Sequence, residues 1–568
     1  MVGQGQDEQL QRILRRTGSG GLRRDIFPLD LGQDEMEYMQ NVYAPTEGLI
    51  EARPGYSIVA TGITWGPVIA LAGYKQDDGS ESLLACALGT NANDHLRLYE
   101  WDGQAGSFTF VDSLSGYTGI DSKIEMIRVT DQVNGALASK RAMIISTDQP
   151  DVDAKFYDGT NVDDCHWGSG SDDLRRAHEY KAGRLLVSGE ADQSDMMFHS
   201  DVNSCTSTGM SDAAVRQFRM GGGTFSSEIV TAKVFRNRDL IVFMEDAIEA
   251  IVMTESNIAL PGNNLGVTAG GFPLTTWSRQ TIHPLVGCGS WRTVANVGED
   301  LFFMDQDLQI RSLARTINDA TRGIRSDPIS EPIKDFMARI NPAAREHCVA
   351  THFDRYYILS VPLDSATFAD TVFVLDVAQT TRKGKPVWYG PWTQIQAREF
   401  TVMKMDDAST SSDKNPTLYF AHNSTADGGL VMRMFDGTTD NGSNIPIDIQ
   451  WPRETFGKLE LKKQPEFFRY FGQGAAGVTA EIWANEDNAG WESVGFVFTQ
   501  GDAPALPQDL PFTLGGAGVV TKQWRLSDQL GRLRDVQFRL TATANDALKV
   551  VGYGCYGYLD NYEFEAED

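Results

Sequence analysis

Residues 297–316 read VGEDLFFMDQDLQIRSLART. Apolar residues come in short bursts, each cut by an acidic turn: Gly298-Glu299-Asp300, then Asp305-Gln306-Asp307. After the second turn the residues alternate, with Leu308 and Ile310 on one side and Gln309 and Arg311 on the other. This is a strand, turn, strand pattern of period two, one face buried and one wet. It holds no nucleophile, metal pair or phosphate loop, so it reads as scaffold.

The same grammar extends in both directions, from Ser57 to about residue 450. Candidate strands include VIALAGY (68–74), SLLACAL (82–88), HLRLYEW (95–101), KIEMIRV (123–129), RAMIIST (141–147), DLIVFM (239–244), RYYILSVPL (355–363) and TVFVLDV (371–377). Short strands separated by turn residues, with few helical stretches, predict an all-β sandwich, barrel or propeller. A weak repeat favours the last. LYEWDG, AKFYDG and MRMFDG each run an aromatic-rich strand into Asp-Gly, a pair suited to tight hairpins whose central residues need positive φ. Asp102 and Asp158 are 56 residues apart, and Asp436 lies 278 further on, close to five such periods. Units of this length match four-stranded propeller blades. The expectation is a β-propeller of about seven blades, although six or eight also fit.

One helix interrupts the strands in SEPIKDFMARI (330–340), with Ser330 as N-cap and Ile333, Phe336, Met337 and Ile340 as one apolar stripe. Beyond residue 446, AEIWAN (480–485), WESVGFVF (491–498), DVQFRLTAT (535–543) and KVVGYGCYGYL (549–559) alternate as in a β-sandwich. The domain expectation is an N-terminal arm and lead-in segment over 1–56, a propeller over 57–446 and a C-terminal β-sandwich over 447–568.

Composition narrows the function. The formal charge of −27 argues against nucleic-acid binding as the main activity, which needs clustered Lys and Arg. Six cysteines are spread without a CxxC pair, which favours buried free thiols over a disulfide framework. Cys165-His166 and His347-Cys348 are adjacent pairs, and neighbours on a strand face opposite ways, so neither suits a metal. The N-terminus lacks an apolar signal core and no run reads as a membrane span, so we expect a protein made in a cytoplasm and not inserted in a membrane.

No GxSxG, HExxH, Walker A or GxGxxG occurs in a strand–turn–helix setting. MGGGT (220–224) lacks the following Lys and reads as a loop. A glycoside hydrolase would need paired carboxylates in a central pocket, and 77 acidic residues single out none. The SxDxGxxW boxes of sialidase-type propellers are missing. We nominate no catalytic, metal or cofactor residue and expect no enzyme. The conspicuous basic feature is QLQRILRRTGSGGLRR (residues 9–24), which carries Arg12, Arg15, Arg16, Arg23 and Arg24 and no acid. Leu10, Ile13 and Leu14 would share one face of a short helix, making this a candidate docking arm for an acidic neighbour.

Several stretches together resemble one family. LDLGQDEMEYMQNVYAPTEGLIEARPGY (29–56) carries Asn41 ahead of a G-L-x-x-R-P-G turn formed by Gly48, Leu49, Arg53, Pro54 and Gly55. AHEYKAGRLLVSG (177–189) with MMFHSDVN (196–203), VFRNRDLIVFMEDAIEAI (234–251), the opening stretch and RSDPISEPI (325–333) follow in order. Over roughly 25–440 this is similar to the β-propeller tail hub or nozzle proteins, also called head–tail stabilisation proteins, of short-tailed bacteriophages. One departure is Asp307-Leu308-Gln309, where the family turn usually has glycine. The resemblance implies a virion structural protein and a cyclic homo-oligomer, a hexamer, around the tail axis. Its neighbours would be portal and adaptor ring proteins and tail fibre or needle proteins. It would seal the packaged genome and pass double-stranded DNA during ejection, without cofactors. The alternative is a carbohydrate-binding or glycan-degrading propeller of a receptor-recognition component.

Overall fold

The computed structural model describes residues 10–16, 20–131, 140–165, 176–200, 205, 217–256, 274–404, 415–455, 463–498 and 520–559, less short loops within these spans. The architecture is all-β. Small antiparallel sheets follow one another along the chain, each built mostly from consecutive strands. The first holds Val68–Lys75, Glu81–Ala87, Leu96–Trp101 and Thr109–Leu114. The next three begin with Ile124–Asp131, Arg176–Lys181 and Ile229–Phe235. A three-stranded sheet begins with Ala295–Val297, and a nine-stranded one begins with Val349–Phe353. In the last, Ala397–Met403, Thr417–His422 and Leu430–Met434 take their fourth strand, Tyr56–Ala60, from the N-terminal side.

The first strands pack side by side. Val68–Lys75 lies against Ile124–Asp131, which lies against Arg176–Lys181 and so to Ile229–Phe235. Ala295–Val297 lies against Val349–Phe353, then Ala397–Met403, which returns to Val68–Lys75. The remaining joint is apolar: Phe243 and Phe303 ring centroids are 5.0 Å apart, within a cluster that includes Phe235, Leu301 and Leu313. The arrangement is circular and propeller-like. Because a sheet in such a ring is covered on both faces, VIALAGYK and ESLLACA are nearly continuous apolar runs. Tyrosine hydroxyls lock the joints: Tyr74 donates to the Arg141 carbonyl (2.9 Å), Tyr180 to Thr130 (2.9 Å) and Tyr357 to Thr293 (3.1 Å).

The opening stretch folds as strand Ala295–Val297, turn, Asp300–Met304, turn, Ile310–Ser312. Two details differ from expectation. Leu308 belongs to the turn, with φ 61°, where glycine would be unstrained. Arg311 does not face water: it is 3% exposed and ion-paired to Asp305, the first acid of the turn, whose Oδ1 accepts from Gln309 N (2.8 Å). The turn's charge thus neutralises the strand's. At Leu313 the chain enters a helix, Leu313–Thr321, capped by Ser312 Oγ accepting from Arg315 N.

The three Asp-Gly tips occupy one structural place, the end of their sheet's third strand: Leu96–Trp101, Lys155–Tyr157 and Leu430–Met434. Positive φ falls on Gly103 (82°), Gly159 (93°) and Gly437 (73°), and on none of the aspartates, so these are not turns with two left-handed residues. The Asp158 carboxylate instead accepts from Thr160 N (2.9 Å) and Asn161 N (2.8 Å). The predicted 330–340 helix is a 3-10 turn, Glu331–Ile333, followed by one α-turn, Lys334–Met337. Its apolar stripe is buried as expected. Ser330 does not cap it; its Oγ accepts from Ile310 N (3.0 Å).

The C-terminal strands form two packed sheets. One runs Val520–Arg525, Lys463–Gln473, Lys549–Leu559, Leu49–Ala52, Val42–Thr46. The other continues the Val349–Phe353 sheet from Trp388–Trp392 through Tyr38–Gln40 to Ile445–Gln450, Val536–Ala544, Thr479–Glu486 and Trp491–Phe498. Phe468 from one sheet meets Phe538 from the other at 4.5 Å, and Tyr553 packs on Trp451 at 5.1 Å. Residues 38–52 therefore build this sandwich rather than standing apart as a lead-in. The arm differs too. Leu10–Arg16 is a strand, antiparallel to Gly552–Tyr558, and not a helix. Seven residues make a marginal helix, whereas a strand edge offers a full ladder.

Candidate functional site

The first strands of the ring converge on its axis. Gly73, Ala70 and Ala72 keep Val68–Lys75 thin there, and a cavity of about 270 Å³ remains, walled in part by Gly73, Glu125, His178, Lys233, Trp291 and Glu399. Four of these strands carry a one-residue register shift near their start, skipping Ile69, His178, Val230 and Arg398. Such bulges re-aim side chains. They place His178 among charged groups inside an otherwise apolar sheet.

The charges are paired across sheets. Arg176 Nε donates to Glu125 Oε2 (3.2 Å), and His178 Nδ1 lies 3.6 Å from the same oxygen. Arg292 Nε lies 3.2 Å from Glu399 Oε2, while its Nη1 and Nη2 donate to the Arg398 (3.3 Å) and Ile69 (3.2 Å) carbonyls. Arg128 Nε donates to the Gly73 carbonyl, so three neighbouring first strands are stitched by arginine. Both Arg176 and Arg292 guanidinium groups lie over the Trp291 ring, 5.1 and 4.7 Å from its centroid.

Burial pushes the Glu399 carboxyl up to about 7 against the pull of Arg292, and nearby Glu125 adds to the rise. Burial also raises Glu125, opposed by Arg176 and Lys233. His178 is held well below the usual imidazole range, first by burial and then by Arg176 and Lys233, so its ring is neutral. The site thus combines two carboxyls raised by burial, one of them to about 7, and a neutral imidazole.

The five arginines singled out from sequence lie elsewhere. Arg12, Arg15 and Arg16 sit in the strand paired with Gly552–Tyr558. Arg23 is committed to Asp25 (Nε to Oδ1, 2.8 Å) and Glu35 (3.3 Å). Arg24 lies 3.6 Å from Asp335 and over the Phe336 ring, and its backbone N donates to the Pro332 carbonyl. All six cysteines are buried and unbridged. Among the described residues no three His, Cys, Asp or Glu side chains converge as a metal site, and no helix is long and apolar enough to cross a membrane; His166 lies outside the described residues. The axial groups had one sequence signal, a charge inside an apolar first strand, as in KIEMIRV and TAKVF. Only ring closure shows that these charges meet.

No protein-family model matches the chain, nor does any curated protein. Solved structures give distant likenesses. An exo-β-1,3-galactanase from Phanerochaete chrysosporium is 10% identical, with 89% of this chain and 100% of that one covered and a TM-score of 0.26. An α-L-arabinofuranosidase from Fusarium graminearum is 7% identical over 67% and 97%, with a TM-score of 0.31. The extracellular domain of a hybrid two-component system from B. thetaiotaomicron is 10% identical over 80% of this chain and 56% of that one, with a TM-score of 0.37. At these scores the likeness carries no activity across to this chain.

Proposed function

We propose that the chain is a seven-bladed β-propeller joined to a β-sandwich and serves as a structural protein of a phage tail. In this reading it is a hub or nozzle component that assembles as a ring below portal and adaptor, helps seal the genome and lines part of the DNA exit path. The observation that supports it is the junction between the two bodies. The Val349–Phe353 sheet runs through Tyr38–Gln40 into Ile445–Gln450 and the sandwich as one hydrogen-bonded sheet, so no linker separates them. Domains joined by linkers swing by default, whereas a shared sheet carries load without a hinge. A ring of chains each of net charge −27 would repel passing DNA and not hold it. The axial carboxylates are each tied to an arginine, and the Trp291 ring lies under two guanidinium groups. Electron microscopy of the purified protein and of labelled particles tests the reading. An axial ring is expected; single copies absent from particles would overturn it.

A second reading, a carbohydrate-binding or glycan-degrading component of receptor recognition, is favoured by one observation: Glu125 and Glu399 both wall the axial cavity. Binding and hydrolysis assays on a glycan array test it, and loss of any signal in Glu399→Gln is expected if this reading holds.

A further inference from the structure

The axial cavity holds more hydrogen-bonding capacity than the chain itself uses. Glu125 Oε1 and His178 Nδ1 have no hydrogen-bond partner among the described residues, although Glu125 is 4% exposed and His178 is fully buried. Both residues wall the cavity, as does half-buried Lys233, which has no ion pair within 4 Å among the described residues. Buried polar atoms are satisfied in the great majority of cases, so such a cluster calls for a ligand or ordered water.

Charge decides what kind. Two cations, Arg128 and Lys233, wall the cavity beside two carboxyl groups, Glu125 and Glu399, and Arg176 and Arg292 each pair with one of those carboxyls. A cationic ligand would meet the surplus of positive charge, and an anionic one would meet two carboxylates at close range. A neutral ligand rich in hydroxyl groups avoids both. Its O–H groups donate to Glu125 Oε1 and the Glu399 carboxylate, and its oxygens accept from Lys233 Nζ, leaving His178 Nδ1 to take either part. About 270 Å³ suits one sugar ring. With the Trp291 ring already under two guanidinium groups, recognition here rests on hydrogen bonds and not on stacking.

We propose that the axial cavity binds a single neutral polyol of sugar-ring size, held by Glu125, Glu399 and Lys233. This deepens the second functional reading and rests on it for the ligand class. The site does not depend on hydrolysis.

Titration calorimetry of the full chain with methyl glycosides of galactose, glucose and mannose, and with inositol, tests it. Acetate and ethylammonium serve as charged controls. A millimolar dissociation constant for at least one neutral polyol is expected, weakened tenfold or more in Lys233→Met and in Glu125→Gln. Lys233→Met removes no ion pair within 4 Å among the described residues, and its melting curve verifies folding. Polyol binding that both variants leave unchanged would overturn the site while sparing glycan recognition elsewhere on the chain. No binding of any polyol at 100-fold excess over protein, or preferential binding of acetate or ethylammonium, would overturn the proposal outright. So would a crystal soak that shows ordered water only.

Discussion

Arg53 and Asp440, 387 residues apart in sequence, form a bidentate ion pair, with Nη1 to Oδ1 at 2.8 Å and Nη2 to Oδ2 at 2.5 Å. The remaining guanidinium bonds go to Asn41 Oδ1 (3.0 Å) and the Thr393 (2.9 Å) and Pro54 (3.1 Å) carbonyls. Asn41 in turn accepts from Thr393 N and donates to the Pro446 carbonyl. One side chain in the G-L-x-x-R-P-G turn thus ties the sandwich strands near the N-terminus to the last ring sheet and to the strand that begins the C-terminal half. The motif that carries the family resemblance is a fastener.

Removing one partner should therefore cost far more than removing both. Arg53→Met leaves a buried carboxylate without its counter-charge and should destabilise by about 3–5 kcal/mol. Arg53→Met with Asp440→Leu should recover most of that. Arg53→Lys should fall between the parent and Arg53→Met, because an ammonium keeps the counter-charge but cannot fill five directed positions. Melting temperatures of the three variants check this; equal losses in the single and double variants would refute it.

Gly55 stands next in the same turn for a steric reason. A Cβ there would meet the Thr439 carbonyl oxygen at 1.9 Å, which no side-chain shift relieves. Gly55→Ala should separate the lead-in from the last sheet and lower the melting temperature severely. Gly48→Ala is the control. Its φ is +79° but nothing lies within 4 Å of its Cβ, so only left-handed strain of about 1–2 kcal/mol is expected. The order of the two variants in a thermal melt decides the matter.

What sequence reveals here is local. Period-two strands, acidic turns and the buried stripe Ile333, Phe336, Met337 and Ile340 need only neighbours along the chain, and Asp102, Asp158 and Asp436 mark equivalent strand ends. What it hides depends on closure. Arg311 looks solvent-facing until Asp305 folds over it. Leu10–Arg16 looks helical until the edge of Lys549–Leu559 is present to pair with it. Glu125, His178 and Glu399 are ordinary charges in three separate strands until four bulges and a ring bring them to one axis.

Glu399 makes stability depend on pH. Its carboxyl sits at about 7 in the folded chain against 4.5 for an ordinary glutamate, so the folded state binds the extra proton. Stability then falls as pH rises from about 4.5 to 7 and stays lower above that, by at most about 3 kcal/mol at 1.36 kcal/mol per unit. Glu399→Gln should melt higher than the parent at pH 8 and match it near pH 4.5. Arg292 keeps its two carbonyl partners in the variant. A gap between the two melting curves that does not change with pH would show that burial of this carboxyl is not its cause.

Truncation of the arm separates assembly from folding. Removing residues 1–9 leaves the Leu10–Arg16 strand in place and should change neither. Removing 1–17 strips the ladder from Gly552–Tyr558 and exposes a sheet edge able to pair with another chain. That variant should self-associate without order, seen by light scattering, and its Gly552–Tyr558 amides should exchange faster. Removing 1–24 also breaks Arg23–Glu35 and the Arg24 contacts at Asp335 and Phe336, loosening the Lys334–Met337 turn. The ring sheets from Val68 onward keep every strand in all three cases and should retain their melting transition. If the arm docks an acidic neighbour, particle incorporation should fall in the 1–17 deletion; if it serves only as a strand, incorporation should track light scattering across the series. Incorporation unchanged by the 1–24 deletion would remove the arm from assembly altogether.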